Sequence, residues 1–268
     1  MATAGSGSAI GQAEIRSDLA RLAMPARSPV LVHSSLREVG PPTGGPAAVA
    51  GALRDVLGPR AAIVVPAFTA RNSTTTREFR RRTARMTPEQ REAEEAKIVP
   101  FDLRTTPAQD VGAFAEYIRS QPAAVRSAHP QTSFAALGPD AVDVTRDHAL
   151  ESHLGEWSPL ARLYDRDAQV LLLGVGHANN TSLHLAEAKG TFAKKRYANG
   201  SPVVVDGRRA WVTYEGDDTD DGDFEALGDA FAETGAQTEG PAGNGTARLM
   251  SQRAVVDFAV TWMNANRP

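Results

Sequence analysis

The 268-residue sequence contains no cysteine. That absence removes disulfides, thiolate metal sites and any cysteinyl acyl-enzyme. Positive charge is not in excess either: 29 Lys and Arg stand against 32 Asp and Glu, a formal net charge of −3. Phosphate binding wants a basic surface, so nucleic acid is not the expected partner. No stretch reaches the roughly 18–20 apolar residues of a membrane helix. The opening MATAGSGSAIGQ has neither a basic n-region nor an apolar h-region, so residues 1–12 read as a disordered tail, not a secretory signal. The expectation from these absences is a cytoplasmic protein that binds neither nucleic acid nor membrane.

What is present suits a folded core, since 41% of the residues are hydrophobic. Short apolar runs read as buried strands at Val30–His33, Ala62–Val65, Ser133–Leu137 and Val170–Gly174. Helical spacing alternates with them: Ile15, Leu19 and Leu22 within Glu14–Met24, then Val49, Leu53, Val56 and Leu57. Thr87-Pro88-Glu89-Gln90 and Thr106-Pro107-Ala108-Gln109 each combine a Thr cap, Pro at the first helical position and Gln three residues on, the signature of a capping box. Ser158-Pro159 opens a helix in the same style, and a final helix is predicted over about Thr246–Asn264. Val203–Val212 carries Asp206-Gly207 and predicts a hairpin. This order implies an α/β fold, layered around a central mixed sheet flanked by helices. The charged segment at residues 71–98, with RRR at Arg80–Arg82 and one predicted helix, reads as a helical insertion, lid or minor lobe.

The chemistry concentrates after the run Val170–Leu173, in GVGHANNTSLHLAE at Gly174–Glu187. With Asn180 or Thr181 as cap, His184 falls in the first turn of a helix, with Glu187 one turn on. A helix N-terminus favours neutral imidazole, the form a base needs, while a carboxylate on the other ring nitrogen fixes the tautomer. His177, His184 and Glu187 do not have the HExxH spacing of a zinc site. Asp217, Thr219, Asp221 and Gly222 fit half of an EF-hand loop, but its twelfth position is Gly228 where Glu is required. No metal is expected. Ser34 and Ser35 end the first strand without a GxSxG elbow, so their backbone N–H groups are better candidates than their hydroxyls. Gln237–Ala242 spells QxxGxA, the pyrophosphate loop of common acetyltransferases, but Pro241 lacks an N–H and Glu239 repels phosphate.

Several blocks recur in a familiar order: LVHSSLREVG at Leu31–Gly40, VVPAFT at Val64–Thr69, Pro100–Arg119, RSAHPQTSFAALG at Arg126–Gly138, Ser158–Glu187 and Arg248–Met263. Together they resemble the aminoglycoside 3-N-acetyltransferase family, whose antibiotic N-acetyltransferase fold is distinct from the common acetyltransferase superfamily. The resemblance implies one acetyltransferase domain over residues 13–268. It also implies acetyl transfer from acetyl-coenzyme A to the 3-amino group of 2-deoxystreptamine aminoglycosides, hence antibiotic resistance. It further implies a His–Glu pair: His184 as base, with Glu215 the chosen partner and Glu187 the local competitor. Ser34, Ser35 and Leu36 would face the thioester and pantetheine arm, Arg126 and Ser127 would hold coenzyme A, and Thr181 would lie near the thioester. The run Glu215–Glu225 holds seven acids and no base, and Asp217, Asp218 and Asp220 would attract the polycationic drug. His33 and His129 read as structural. Two alternatives stay open: an acetyltransferase of this fold acting on another amine, and a non-catalytic binder of polycations or calcium. Monomer and dimer are equally compatible with the sequence.

Overall fold

The computed structural model describes residues 9–268. Residues 1–8 of the expected tail lie outside the described residues. The remainder is ordered sooner than composition suggests: Ile10 bridges to Pro42 and is 2% exposed, and the first helix begins at Gln12. One apolar anchor among small polar residues is invisible to a compositional average.

Nine strands are present among the described residues: β1 (Val30–Ser34), β2 (Ile63–Pro66), β3 (Val125–Arg126), β4 (Phe134–Leu137), β5 (Gln169–Leu173), β6 (Arg196–Val205), β7 (Arg208–Asp217), β8 (Gln237–Ala242) and β9 (Gly245–Ser251). Seven form one mixed sheet in the order β3-β4-β2-β1-β5-β9-β8. Its centre is parallel, with β1 between β2 and β5, while β4 and β9 pair antiparallel with β2 and β5. Strand side chains alternate between faces. Val30 and Val32 therefore join one core cluster with the helices Gln12–Arg21, Pro46–Leu57 and Gly112–Ser120, while Leu31 joins a second. That second face is covered by Pro159–Asp165, Ser182–Lys189, Phe224–Ala232 and Gln252–Asn266. Central strands buried on both faces explain the unbroken apolar runs in the sequence.

The hairpin β6–β7 stands apart as a two-stranded sheet. Asp206 and Gly207 both take positive φ, 49° and 74°, as a two-residue I′ turn requires. Beside it the charged segment forms two helices, Arg77–Thr83 and Pro88–Glu95, where one was expected. The capping box at Thr87 and Gln90 is made in full. Arg209 of the hairpin donates to the Ile98 and Glu95 carbonyls, tying these pieces into the small charged lobe.

Two expected helices differ. No helix starts at Thr106: its Oγ1 accepts from the Asp102 N–H, Gln109 reaches Phe68 and Asn72, and Asp110 and Gly112 take positive φ before the helix at Gly112. The final helix starts at Gln252, capped by Ser251, because the preceding residues are β9. The QxxGxA segment is β8, at the sheet edge. No helix among the described residues is long and apolar enough to cross a membrane.

Candidate active site

The loop after β5 is shaped by close approach. A Cβ on Gly174, which has φ +70°, would lie 2.8 Å from the Ser35 carbonyl oxygen, and one on Gly176 would strike the Glu225 carboxylate. At Gly174 the positive φ and the backbone contact leave room for glycine alone. The chain then makes a short turn at His177–Asn179, and Asn180 Oδ1 accepts from the Ser182 N–H at 3.2 Å where the helix Ser182–Lys189 begins, with Thr181 at the cap position. His184 thus enters in the first turn, its N–H donating to the Thr181 carbonyl.

Spacing by three residues brings Glu187 to the same helix face. His184 Nδ1 meets Glu187 Oε2 at 2.5 Å, and the imidazole packs on Phe224 at 4.8 Å between ring centroids. Glu187 Oε1 in turn accepts from Arg267 Nη1 at 2.5 Å and from the Asp220 N–H at 3.0 Å. A carboxylate accepts, so the Nδ1–H is the donor in this bond. The pair lines a cavity of about 670 Å³ whose rim carries Glu151, Glu156, Asp217, Asp218, Asp220 and Asp223. Trp157, 67% exposed, lies on the same rim. This is an electronegative pocket lined by two imidazoles, His153 and His184, of which His184 is the one bonded to a carboxylate, and it suits a polyamine.

The family model described as aminoglycoside 3-N-acetyltransferase matches residues 31–264. The chain belongs to that family. An aminoglycoside N(3')-acetyltransferase-like protein, YokD, of Bacillus subtilis (strain 168) is 34% identical over 253 residues, covering 94% of this chain and 92% of that protein. The crystal structure of aminoglycoside acetyltransferase AAC(3)-Xa superposes with a TM-score of 0.88 at 32% identity, over 96% of this chain and 93% of that one. A binary complex of AAC-IIIb with CoASH gives 0.85 at 29% identity, over 97% and 99%. AAC-VIa bound to sisomicin gives 0.82 at 29%, over 96% and 98%.

In this acetyltransferase several expected site residues sit elsewhere. Glu215, chosen as the partner of His184, is on the hairpin, 66% exposed and paired with Arg196; the carboxylate on His184 is that of Glu187. Glu215 is instead engaged by Arg196 across the hairpin, a contact no motif discloses. Arg126 was to hold coenzyme A but is buried. Its guanidinium donates to the Thr106 and Ala67 carbonyls and to Ser133 Oγ, and stacks on Phe101. Burial, and then the Arg119 charge, bring its pKa down to about 10. Ser127 is fully buried too, accepting from the Phe134 N–H and bonding His148 Nδ1. Both are struts, because buried polar groups must be satisfied locally. Ser34, Ser35 and Leu36 lie half-buried at the end of β1, and the Ser35 N–H donates to the Leu173 carbonyl. Thr181 Oγ1 meets His33 Nε2 at 3.3 Å, linking that strand end to the base of the His184 helix. Asp217 pairs with Arg196, and Asp218 and Asp220 are exposed at the cavity rim.

The other histidines are structural in their contacts. His33 is held near a pKa of about 3 by burial and the neighbouring His184. His177 Nε2 bonds Gln237, and burial lowers its pKa. His129, His148 and His153 stack with ring centroids 4.7 and 4.8 Å apart, beside Tyr214. Among the described residues no group of three His, Cys, Asp or Glu side chains is arranged to hold a metal ion. Arg267 and Phe224 were missed by sequence reasoning. Neither belongs to a motif, and only the folded chain brings them to His184.

Proposed function

We propose that the chain transfers acetyl from acetyl-coenzyme A to the 3-amino group of 2-deoxystreptamine aminoglycosides, with His184 as general base. The observation that carries this reading is the Glu187-bonded imidazole at the wall of an acidic cavity, in a chain of this family. Relatives of this fold solved with CoASH and with sisomicin support both substrates.

An aminoglycoside is a polycation at neutral pH, and the acidic rim raises its local concentration. Acyl transfer needs the free amine, so a proton must leave the 3-nitrogen. His184 Nε2 accepts it, and the imidazolium that forms is stabilised by Glu187 Oε2 across the Nδ1–H bond. Acetyl-coenzyme A, when bound, supplies the acyl carbon and a thiol leaving group. The N–C bond forms as the C–S bond breaks, the second surplus proton of the attacking nitrogen passes to the departing thiolate, and no enzyme acyl group is required. The residues assigned to the thioester are Ser34–Leu36 and Thr181. They gather at the carboxyl ends of the parallel strands β1 and β5, where open α/β sheets bind ligands. With the Ser35 N–H engaged on Leu173, the Leu36 N–H is the donor assigned to the thioester oxygen.

The test is thiol release from acetyl-coenzyme A with kanamycin, gentamicin, apramycin and neomycin classes, followed by locating the acetylated nitrogen by NMR. Transfer to the 3-amino nitrogen is expected. Acetylation at another position, or transfer only to unrelated amines, would contradict the substrate assignment.

A further inference from the structure

We infer that Arg267 is a positioning residue for the His184–Glu187 pair and the clasp that fastens the acidic turn to it. The inference rests on reading His184 as the base. Arg267 follows the helix Gln252–Asn266 and lies beyond the residues matched by the family model, so its role is read from contacts in this chain alone.

A carboxylate has two oxygens and rotates freely unless both are held. In Glu187 one oxygen is given to each neighbour: Oε2 to His184 Nδ1, Oε1 to Arg267 Nη1 at 2.5 Å and to the Asp220 N–H at 3.0 Å. The rest of the guanidinium is engaged as fully. Nε donates to Asp223 Oδ2 at 2.8 Å, and Nη2 donates to Asp223 Oδ1 and to the Asp220 carbonyl. The planar fork thus makes a two-point contact with one carboxylate and an end contact with another, a geometry lysine cannot reproduce. Only 11% of the Arg267 side chain is exposed, and its guanidinium lies over Phe192 at 5.3 Å and over Phe224 at 6.0 Å. Phe224 is also the ring against His184. Hence one side chain fixes the carboxylate that orients the base, shares a neighbour with the base itself, and pins the turn that carries the pocket's negative rim. Without it, Glu187 and Asp223 would face each other with no cation between them. A single backbone N–H would then hold Oε1.

The experiment compares wild type, Arg267→Gln, Arg267→Lys, Glu187→Gln, His184→Ala and the double variant Glu187→Gln/Arg267→Gln in steady-state acetylation. Nitrogen NMR of the His184 ring is read in parallel. Arg267→Gln should lower kcat about 10- to 100-fold, the scale of a misplaced reacting group, with KM for acetyl-coenzyme A within about twofold; Arg267→Lys, which keeps the charge, should recover part of the loss. The wild-type ring should be one tautomer with hydrogen on Nδ1, and Arg267→Gln should show a mixture. If Arg267 acts through Glu187, the double variant is no slower than Glu187→Gln alone. Additive losses with an unchanged tautomer, or wild-type kcat and tautomer in Arg267→Gln, would overturn the inference while leaving the base in place. Should His184→Ala keep its turnover, the base assignment fails and the inference falls with it.

Discussion

His184 and the cluster of His129, His148 and His153 lie on neighbouring walls, with His153 and His184 lining the same cavity, yet they keep different company. His184 faces a carboxylate. His129 Nδ1 accepts from two backbone N–H groups while its Nε2 donates to the Leu150 carbonyl, and His148 bonds Ser127 and the His153 carbonyl. Burial opposes a positive ring there and outweighs what the Leu150 and His153 carbonyls, and Asp217 beside His153, offer it: His148 is pushed to about 3 and His153 to about 4. An imidazole can relay a proton only where its charged form has somewhere to rest. The partner, more than the residue type, separates a base from a strut.

The largest expected effect that sharpens this contrast is on rate at His184. His184→Ala should lose about 10²–10⁴ in kcat, the range of general-base catalysis, with the far-ultraviolet circular dichroism of the folded chain retained. Next, Glu187→Gln should cost about 10² in kcat and Glu215→Gln almost nothing; the reverse order in steady-state kinetics would return the orienting role to the hairpin. The cluster should behave oppositely. Ser127→Ala removes partners of His148 and of the Phe134 N–H, so it should lower unfolding free energy by about 1–3 kcal/mol while kcat holds. Denaturant titration beside the activity assay separates these outcomes.

The cluster also sets a pH dependence. His33, His148 and His153 titrate well below 6.5 in the fold, so the unfolded chain binds protons that the folded chain refuses. Their contribution to stability is complete above pH 6.5 and drains as pH falls from there towards 3. Thermal unfolding at pH 7.5, 6 and 5 should show a falling midpoint before most carboxylates protonate. A flat profile would contradict the neutral cluster. The smallest effect belongs to the rim: Asp217→Asn with Asp218→Asn should raise the drug KM a few-fold, less so in high salt, because exposed charges are screened.

The central strands, the Asp206-Gly207 turn, the Thr87 cap and the position of His184 in its first helical turn were all legible, since each depends on neighbours within a few residues. What misled were side chains whose partners no motif specifies. Thr106-Pro107 carries the same local signal as Thr87-Pro88, but Asp102 takes its hydroxyl. Arg126 in a polar loop looks like a phosphate ligand until the Thr106 and Ala67 carbonyls and Ser133 Oγ claim it. The strand β8 was hidden because edge pairing tolerates Gly, Pro and Glu. Glu215 and Glu187 were both within the reading, and only three-dimensional register chooses between them.

A crystal structure of the ternary complex with coenzyme A and an accepted aminoglycoside tests the central claim most directly. It should place the drug's 3-amino nitrogen within about 2.6–3.2 Å of His184 Nε2, with Glu187 still on Nδ1. A 3-amino nitrogen held on the far side of the pocket, with His184 turned into the Phe224 packing, would contradict it.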